Sequence, residues 1–541
     1  MRHFRKTTLL GLIAAAGALP AMPAMAQDDD DSGRGTTVQP YIEVNQVLSA
    51  ELTPGDDLVT FTQIATGTDI NTQGRNLNAS VSIRYERNIS YGDDAIDTDR
   101  VSGIARGSLT VVPRAVTLEA GALASRTRVD GGGGVSVNPL VAEDAESRIY
   151  SGYIGPAFAT QLGSVDLTGN ARVGYNRFET DNALFDANGD PIDVFDDSIV
   201  YSGQITAGTR PGDPLPVGVA VTAGGFQEDI SNLDQRIRDV FVRGDVTIPL
   251  TENFAVVGGV GYEDVEVSSR DAVRDINGDP VRDANGRFVT DSSVPRQIAF
   301  ESDGLIWDVG VVWNPSRRTS LSARVGERYG DTTYYGNLSY VPNSRSAFNV
   351  SVYDGLTGYG GALGTSLAGL SNDFQVLRDP ITGDFGGQIA DAGSAGLDGT
   401  LGSIRSAAFR NQGVGASYQR QIGGLTAAIG GGYNRREFIA AQGTVLEAID
   451  GVTDENYYVA GALSAGAGRS GRVAANVYAN WFDAGEDGGD VTAYGASAAY
   501  NRALTRKLSA RAALGVDYIE SSFTDDDFAV ASALLGLRYD F

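Results

Sequence analysis

The last thirteen residues constrain this chain more than any other stretch. From Ala529 to Phe541 they read with a period of two. Ala531, Ala533, Leu535, Leu537, Tyr539 and Phe541 fall on one face, and Ser532, Leu534, Gly536, Arg538 and Asp540 fall on the other. Period two is the signature of a β-strand, whose successive side chains point to opposite faces of a sheet. An apolar face backed by small and charged groups, ending on an aromatic ring, suits a strand with lipid on one side and an enclosed space on the other. Soluble antiparallel sheets alternate as well, so the rest of the chain has to decide between them.

Repetition decides it. From Val38 onward the chain is a series of about 22 alternating segments, within a range of about 16 to 24, separated by turn residues. In Leu77–Tyr85, Leu77, Ala79, Val81, Ile83 and Tyr85 oppose Asn78, Ser80, Ser82 and Arg84. In Val165–Tyr175, Leu167, Ala171, Val173 and Tyr175 oppose Asp166, Thr168, Asn170 and Arg172. Leu305, Trp307, Val309, Val311 and Trp313 share a face, as do Leu508, Ala510, Ala512, Leu514, Val516 and Tyr518. No run of eighteen apolar residues follows the first segment, so ordinary transmembrane helices are not expected. Barrel strands give a weak hydropathy signal because every second residue faces the lumen.

The connections carry a second signal. Short turns are expected at Val112–Arg114, Leu162–Gly163, Pro211–Pro216, Leu250–Asn253, Asn314–Ser316, Val341–Arg345, Ile422–Gly424, Gly468–Gly471 and Leu504–Lys507. Between them lie longer connections at 129–146, 179–197, 268–299, 354–403 and 438–454. Tight turns on one rim and larger loops on the other are the asymmetry of outer-membrane barrels. The expected fold is therefore an all-β, transmembrane, antiparallel up-and-down barrel spanning 37–541, with both termini in the periplasm of a Gram-negative bacterium. Trp307, Trp313, Trp481, Tyr539 and Phe541 sit on apolar faces near strand ends, where an interfacial aromatic girdle would place them. The last strand resembles the C-terminal signature read by the bacterial barrel-insertion machinery. That machinery, outer-membrane lipid and lipopolysaccharide are the expected partners.

The N-terminus fits this reading. Arg2, Arg5 and Lys6 precede the short apolar core Thr8–Leu19 and the small-x-small site Ala24-Met25-Ala26. This is the pattern of a secretory signal over 1–26. Residues 27–36, with the run Asp28–Asp31, read as an acidic flexible linker.

Charge and residue inventory exclude several functions. With 68 Asp plus Glu against 42 Lys plus Arg, the formal net charge is −26, which opposes nucleic-acid partners. Cysteine is absent and the one histidine is His3, inside the signal. A histidine base or a His/Cys metal site is therefore not expected, nor is a cofactor, and the chain is not expected to be an enzyme. Asp186-Ala-Asn-Gly-Asp190 and Asp275-Ile-Asn-Gly-Asp279 place oxygens at alternate positions, as calcium loops do. Their glycines fall at position four, whereas an EF-hand loop has glycine at six. Asn-Gly is a strong turn signal, so both stretches are read as turns.

A barrel of roughly 20 strands is too wide for its own side chains to fill. The plugged TonB-dependent transporters solve this with a domain of well over a hundred residues before the first strand, and no such domain is expected here. The 50 residues of 354–403 are the candidate substitute. Gly361–Leu370 within it is a candidate short helix, although its glycines weaken that reading. Constriction of the lumen and a loop outside it both remain open. On the inward faces, Arg84, Arg172, Arg243, Arg324, Arg511 and Arg538 accompany Asp166, Asp245, Asp308, Asp517 and Asp540 as candidate pore-lining residues. Such ladders set a transverse field in a pore or serve as structural ion pairs.

Three stretches carry a family resemblance: Val38–Val47, Leu58–Ile64 and Arg75–Tyr91. They resemble an uncharacterised family of large outer-membrane barrels associated with exopolysaccharide and PEP-CTERM sorting loci of proteobacteria. The resemblance implies a role in envelope or polysaccharide export and supplies no site residues. Two functions are thus expected of the fold. One is a pore or export channel for exopolysaccharide or other small hydrophilic solutes. The alternative is a structural or adhesive barrel with acidic outer loops and no transport role.

Overall fold

A computed structural model describes residues 35–541, apart from 56, 92–97, 130–134, 137–145, 181–193, 371, 373–374, 377, 382, 384–388, 391–404, 486–488 and 523–526. The expected signal, and the Asp186 turn with it, lie outside the described residues. Among these, twenty-two long strands pair with their chain neighbours, all antiparallel, and the last strand pairs with the first. The first strand, Gly35–Thr53, meets the last, Phe528–Asp540, from Tyr41↔Asp540 to Ala50↔Ala531. The sheet therefore closes on itself and leaves no edge of unpaired amides, as a membrane-spanning sheet must. The first strand begins two residues inside the expected linker.

The alternation read in the sequence becomes the two faces of the wall. Ile42, Val44 and Leu48 of the first strand are exposed on the outside, while Tyr41, Glu43, Asn45, Val47 and Ser49 are buried within. Leu305, Leu514 and Leu535 are 77%, 67% and 69% exposed on the outer face, as a surface meant for lipid requires.

One rim carries short connections. Turns lie between the strands ending at Val112, Leu162, Thr251, Ile422 and Ala503 and those beginning at Val116, Val165, Phe254, Leu425 and Leu508. The turn expected at Asn314–Ser316 falls slightly later. Gln297–Ser316 extends through Pro315, and the chain reverses at Arg317 and Arg318. Proline fits there because the strand ends at that point and its missing N–H removes no central ladder bond.

The opposite rim carries the long connections and two tight reversals, at Ser231–Asp234 and Tyr329–Gly330. Residues 270–296 fold back across this rim. Arg270 and Arg296 both bind the Asp234 carboxylate, at 2.7 and 2.5 Å. Arg287 donates to the carbonyls of Phe178, Val194 and Phe195. Ala272 packs with Leu233, Ala440 and Leu446. The Asp275 stretch is a turn, as its Asn-Gly implied. Asp275 Oδ1 accepts the N–H groups of Asn277 and Asp279 at 2.8 and 3.0 Å.

Candidate functional site

The interior of the barrel is occupied by the chain itself. After the strand Ser346–Thr357 the backbone enters a helix, Tyr359–Gly369. Four glycines in eleven residues oppose a helix by about 1 kcal/mol each. Burial outweighs this. Tyr359, Leu363 and Leu367 pack against the inward-facing Ile104, Leu123, Ile149, Phe178, Phe195 and Ile230. Each such side chain contributes about 2 kcal/mol. Two of the glycines also permit the approach. A Cβ on Gly360 would stand 2.1 Å from Ser198 Oγ, and one on Gly361 would stand 2.6 Å from Glu228 Oε2. Glu228 is fully buried, and its Oε2 accepts the N–H groups of Gly358 and Gly361 at 2.8 and 3.1 Å. A carboxylate at a helix N-terminus satisfies amides left without an intrahelical partner and complements the positive end of the dipole.

The segment then follows the wall. The Asn372 carbonyl accepts from Ser80 Oγ at 2.8 Å, and its amide donates to Ser108 Oγ at 2.9 Å. Arg378 donates to Ser102 and Ser82. Ile381 is buried among Val47, Phe61, Ala499, Ala513 and Leu534, all on inward faces. Gln375–Val376 pairs with Ile389–Ala390; farther on, Arg405 bridges Val194, and Gln235 holds the Ser406 carbonyl at 2.8 Å. The stretch expected as a long loop at 354–403 thus begins within the strand, through Thr357, and then places Tyr359–Gly369, Asn372, Arg378 and Ile381 inside the ring of strands.

The predicted wall residues group into distinct networks. Arg243, Asp245, Asp308 and Arg324, drawn from three strands, form one square. Arg243 reaches Asp245 and Asp308 at 2.6 Å each, and Arg324 reaches the same pair at 2.7 and 3.1 Å. Arg84 and Arg538 join a second network through Glu43, at 2.5 and 3.2 Å. Arg84 also binds Glu86 at 3.1 Å, Arg126 approaches Glu86 at 3.4 Å, and Arg538 binds Asp540 at 2.8 Å. Arg172 pairs with Glu119 and Asp166 with Arg210, nearer the rims. Asp517 accepts from Tyr478 Oη at 2.8 Å. Arg511 forms no ion pair with any described residue, so the simple ladder of arginines opposite carboxylates does not hold there.

Sequence reasoning named all four members of the square and half of the second network. It missed Glu43, Glu86 and Arg126 there, and Glu119 and Arg210 as partners of Arg172 and Asp166. Arg328 with Asp239 and Glu263, at 2.8 and 2.7 Å, is a third network that no prediction named. Parity held the signal: Ile42 and Val44 face lipid, so Glu43 between them must face inward. Nothing in the sequence pointed to Glu228, whose role exists only once the helix has docked.

All five girdle residues are on the outer face. Trp313, Tyr539 and Phe541 lie at the short-turn rim, and Trp307 and Trp481 toward the other. There the structure adds a regular feature. Outer aromatic groups donate to carboxylates nearer the long-loop rim: Tyr85 to Asp99 at 2.8 Å, Tyr262 to Asp303 at 3.3 Å, Trp307 to Glu327 at 3.0 Å and Tyr433 to Glu455 at 2.9 Å. An apolar ring with its polar tip turned toward water marks the edge of the lipid layer.

No family model matches the chain, and no curated protein matches it. Solved structures do. The chain is similar to the FrpB iron transporter of Neisseria meningitidis, F5-1 variant, at 11% identity over 93% of this chain and 82% of that one, with a TM-score of 0.44. It is similar to the ferric-catecholate import receptor Fiu of E. coli K12, closed form, at 11% identity over 92% and 81%, with a TM-score of 0.45. It is similar to the ferric yersiniabactin uptake receptor FyuA of Yersinia pestis, at 11% identity over 94% and 81%, with a TM-score of 0.42. These are likenesses of general form; the argument rests on this chain's own geometry. A closed antiparallel sheet with an apolar belt, an aromatic girdle at each edge and charged groups turned inward is an outer-membrane β-barrel of the Gram-negative kind.

Proposed function

We propose that the protein is a transport pore of the outer membrane whose path is constricted by its own segment 354–403. One observation carries the reading: the helix Tyr359–Gly369 packs against inward-facing side chains of the wall, and Asn372 and Arg378 are hydrogen-bonded to them. A barrel used only as an anchor needs no paired arginines and carboxylates along its interior. A pore wall does, because fixed charges orient hydrated solutes and hold the wall rigid. The cargo is a hydrophilic solute, and the family resemblance favours exopolysaccharide. Neither an iron complex nor a siderophore is proposed.

The test is deletion of residues 360–398 followed by single-channel recording in planar bilayers. The intact protein is expected to conduct weakly or in brief openings, and the deletion to give large, steady conductance. Equal conductance from both would overturn the constriction.

The alternative, a structural or adhesive barrel, draws support from the folded rim. Residues 270–296 pack over it through Arg270, Arg287 and Arg296. A deletion variant that inserts normally and still fails to conduct favours this second reading.

A further inference from the structure

Charge is distributed unevenly along the barrel axis. Ten connections make up the short-turn rim: 74–76, 113–115, 163–164, 210–217, 252–253, 317–318, 344–345, 423–424, 468–470 and 504–507. Nine of their residues are basic, including Lys507, the one lysine outside 1–26. Two are acidic, Asp213 and Glu252, which leaves an excess of seven positive charges in a chain whose formal net charge is −26. In sequence, the longer connections 91–97, 181–196 and 522–527 hold eleven acidic residues and no basic one. All nine cations of the short turns are exposed. Among the described residues only Arg210 of the nine forms an ion pair, with Asp166. Gathering like charges on one rim does nothing for the fold, because exposed neighbours of one sign repel.

Their place relative to the aromatic girdle says what they meet. Lys507 Nζ lies 6.0 Å from the ring of Tyr539. Arg420 and Arg502, near the ends of the strands Ala408–Ile422 and Asp490–Ala503, are also exposed. Each stands two residues nearer the rim than an exposed outer tyrosine, Tyr418 or Tyr500. Residues two apart on a strand share a face. Arg317 and Arg318 make the turn that follows the strand of Trp313. These cations thus lie just beyond rings that mark the edge of the hydrocarbon, at the depth of lipid headgroups. Seven of the ten turns carry a cation, and successive hairpins are neighbours around the closed sheet. An acidic protein would meet one side of such a ring, whereas a lipid leaflet meets all of it.

We propose that the short-turn rim is a docking surface for anionic glycerophospholipids, which its exposed arginines and Lys507 gather from the surrounding leaflet in preference to zwitterionic ones. A basic residue held at a charged membrane surface is worth about a fivefold preference. The collar acts on the outside of the wall, so it operates whether or not the lumen conducts.

The experiment uses the protein's own tryptophans, of which there are three. Trp307→Phe with Trp481→Phe leaves Trp313 as the sole reporter, beside Arg317 and Arg318. The full chain is reconstituted in phosphatidylcholine vesicles containing a minor fraction of brominated phosphatidylglycerol or of brominated phosphatidylcholine. Bromine quenches a neighbouring indole, and the same lipids occupy both leaflets, so the orientation of the barrel does not matter. Brominated phosphatidylglycerol is expected to quench Trp313 about threefold more than brominated phosphatidylcholine. The preference is expected to fall toward equality in Arg317→Gln/Arg318→Gln, and in about 1 M salt, which screens exposed charge beyond about 3 Å. A second reporter, with Trp481 kept and Trp307→Phe and Trp313→Phe, is expected to show no preference. Equal quenching of Trp313 by the two lipids leaves the cations to a soluble acidic partner and overturns the lipid assignment. A preference that survives the paired arginine change or the salt overturns the role of the charges. An equal preference at Trp481 overturns their placement at this rim. Should Arg317→Gln/Arg318→Gln fail to insert, judged by loss of heat-modifiable gel mobility, the salt titration decides.

Discussion

Arg84 shows how the wall is held together residue by residue. Its guanidinium, 3% exposed, touches two carboxylates and the Gln63 amide oxygen. Removing one partner from a buried pair leaves uncompensated charge, which costs about 3–5 kcal/mol. Arg84→Ala is therefore expected to lower the free energy of unfolding from lipid, read from urea titration, by that amount. Arg84→Lys, which keeps a positive charge beside Glu43 and Glu86 without the planar fork, should lose less. Asp275 works differently, in the open. Backbone N–H groups of Asp279 and Asn277 hold its carboxyl below the ordinary carboxylate range. A depressed folded value means the turn has its full stabilisation above the usual carboxylate pKa and loses it as the pH falls through the folded value. Limited proteolysis between 270 and 296 should accelerate on acidification, and Asp275→Ala should remove most of that pH dependence. Resistance equal at pH 7 and pH 3 would contradict the account. At this scale the sequence was half legible. Inward arginines could be read from parity, whereas the choice of partner, such as Glu119 for Arg172 or Tyr478 for Asp517, depends on strand neighbours that only register supplies.

Among the elements, strands and helix differ in how far they announce themselves. A strand such as Leu77–Ser90 is written into its own alternation, because lipid on one side and the lumen on the other impose opposite demands at every second residue. Its turns are legible for a local reason too, with glycine or proline at the reversals. The helix Tyr359–Gly369 has no such local cause. Its four glycines speak against it, and what stabilises it is a surface assembled from strands more than a hundred residues away. Gly361–Leu370 was recognisable as a candidate, but its docking was not. The helix should depend on Glu228 for the same reason. Glu228→Ala removes a cap worth about 1 kcal/mol, so amide exchange across 359–369 should quicken by about fivefold while the strand Gly218–Ile230 keeps its protection. Exchange unchanged in the helix would show that apolar burial alone holds it.

For the whole molecule, closure and sidedness are separate matters. Closure follows from the first and last strands sharing a register of eleven consecutive pairs, Tyr41↔Asp540 to Glu51↔Val530. Sidedness does not follow from closure, since a closed cylinder can be turned over. It has to come from the inequality of the rims. Outer-membrane barrels carry their short turns at the periplasmic rim and their longer loops outside, so the short turn at Arg114 and the long stretch 270–296 lead us to expect long loops outside and both termini in the periplasm. The absence of cysteine makes this directly testable, because a single introduced thiol has no background. Ile276, fully exposed in the long-loop rim, and Arg114, in a short turn, are the two positions. In intact cells a membrane-impermeant maleimide should label Ile276→Cys at once and leave Arg114→Cys unlabelled. After the outer membrane is permeabilised, Arg114→Cys should label as well. Labelling of Arg114→Cys alone in intact cells would invert the barrel, placing the packed rim and the acidic loops toward the periplasm. The constriction would then gate from the opposite face, and an adhesive role for those loops would be lost.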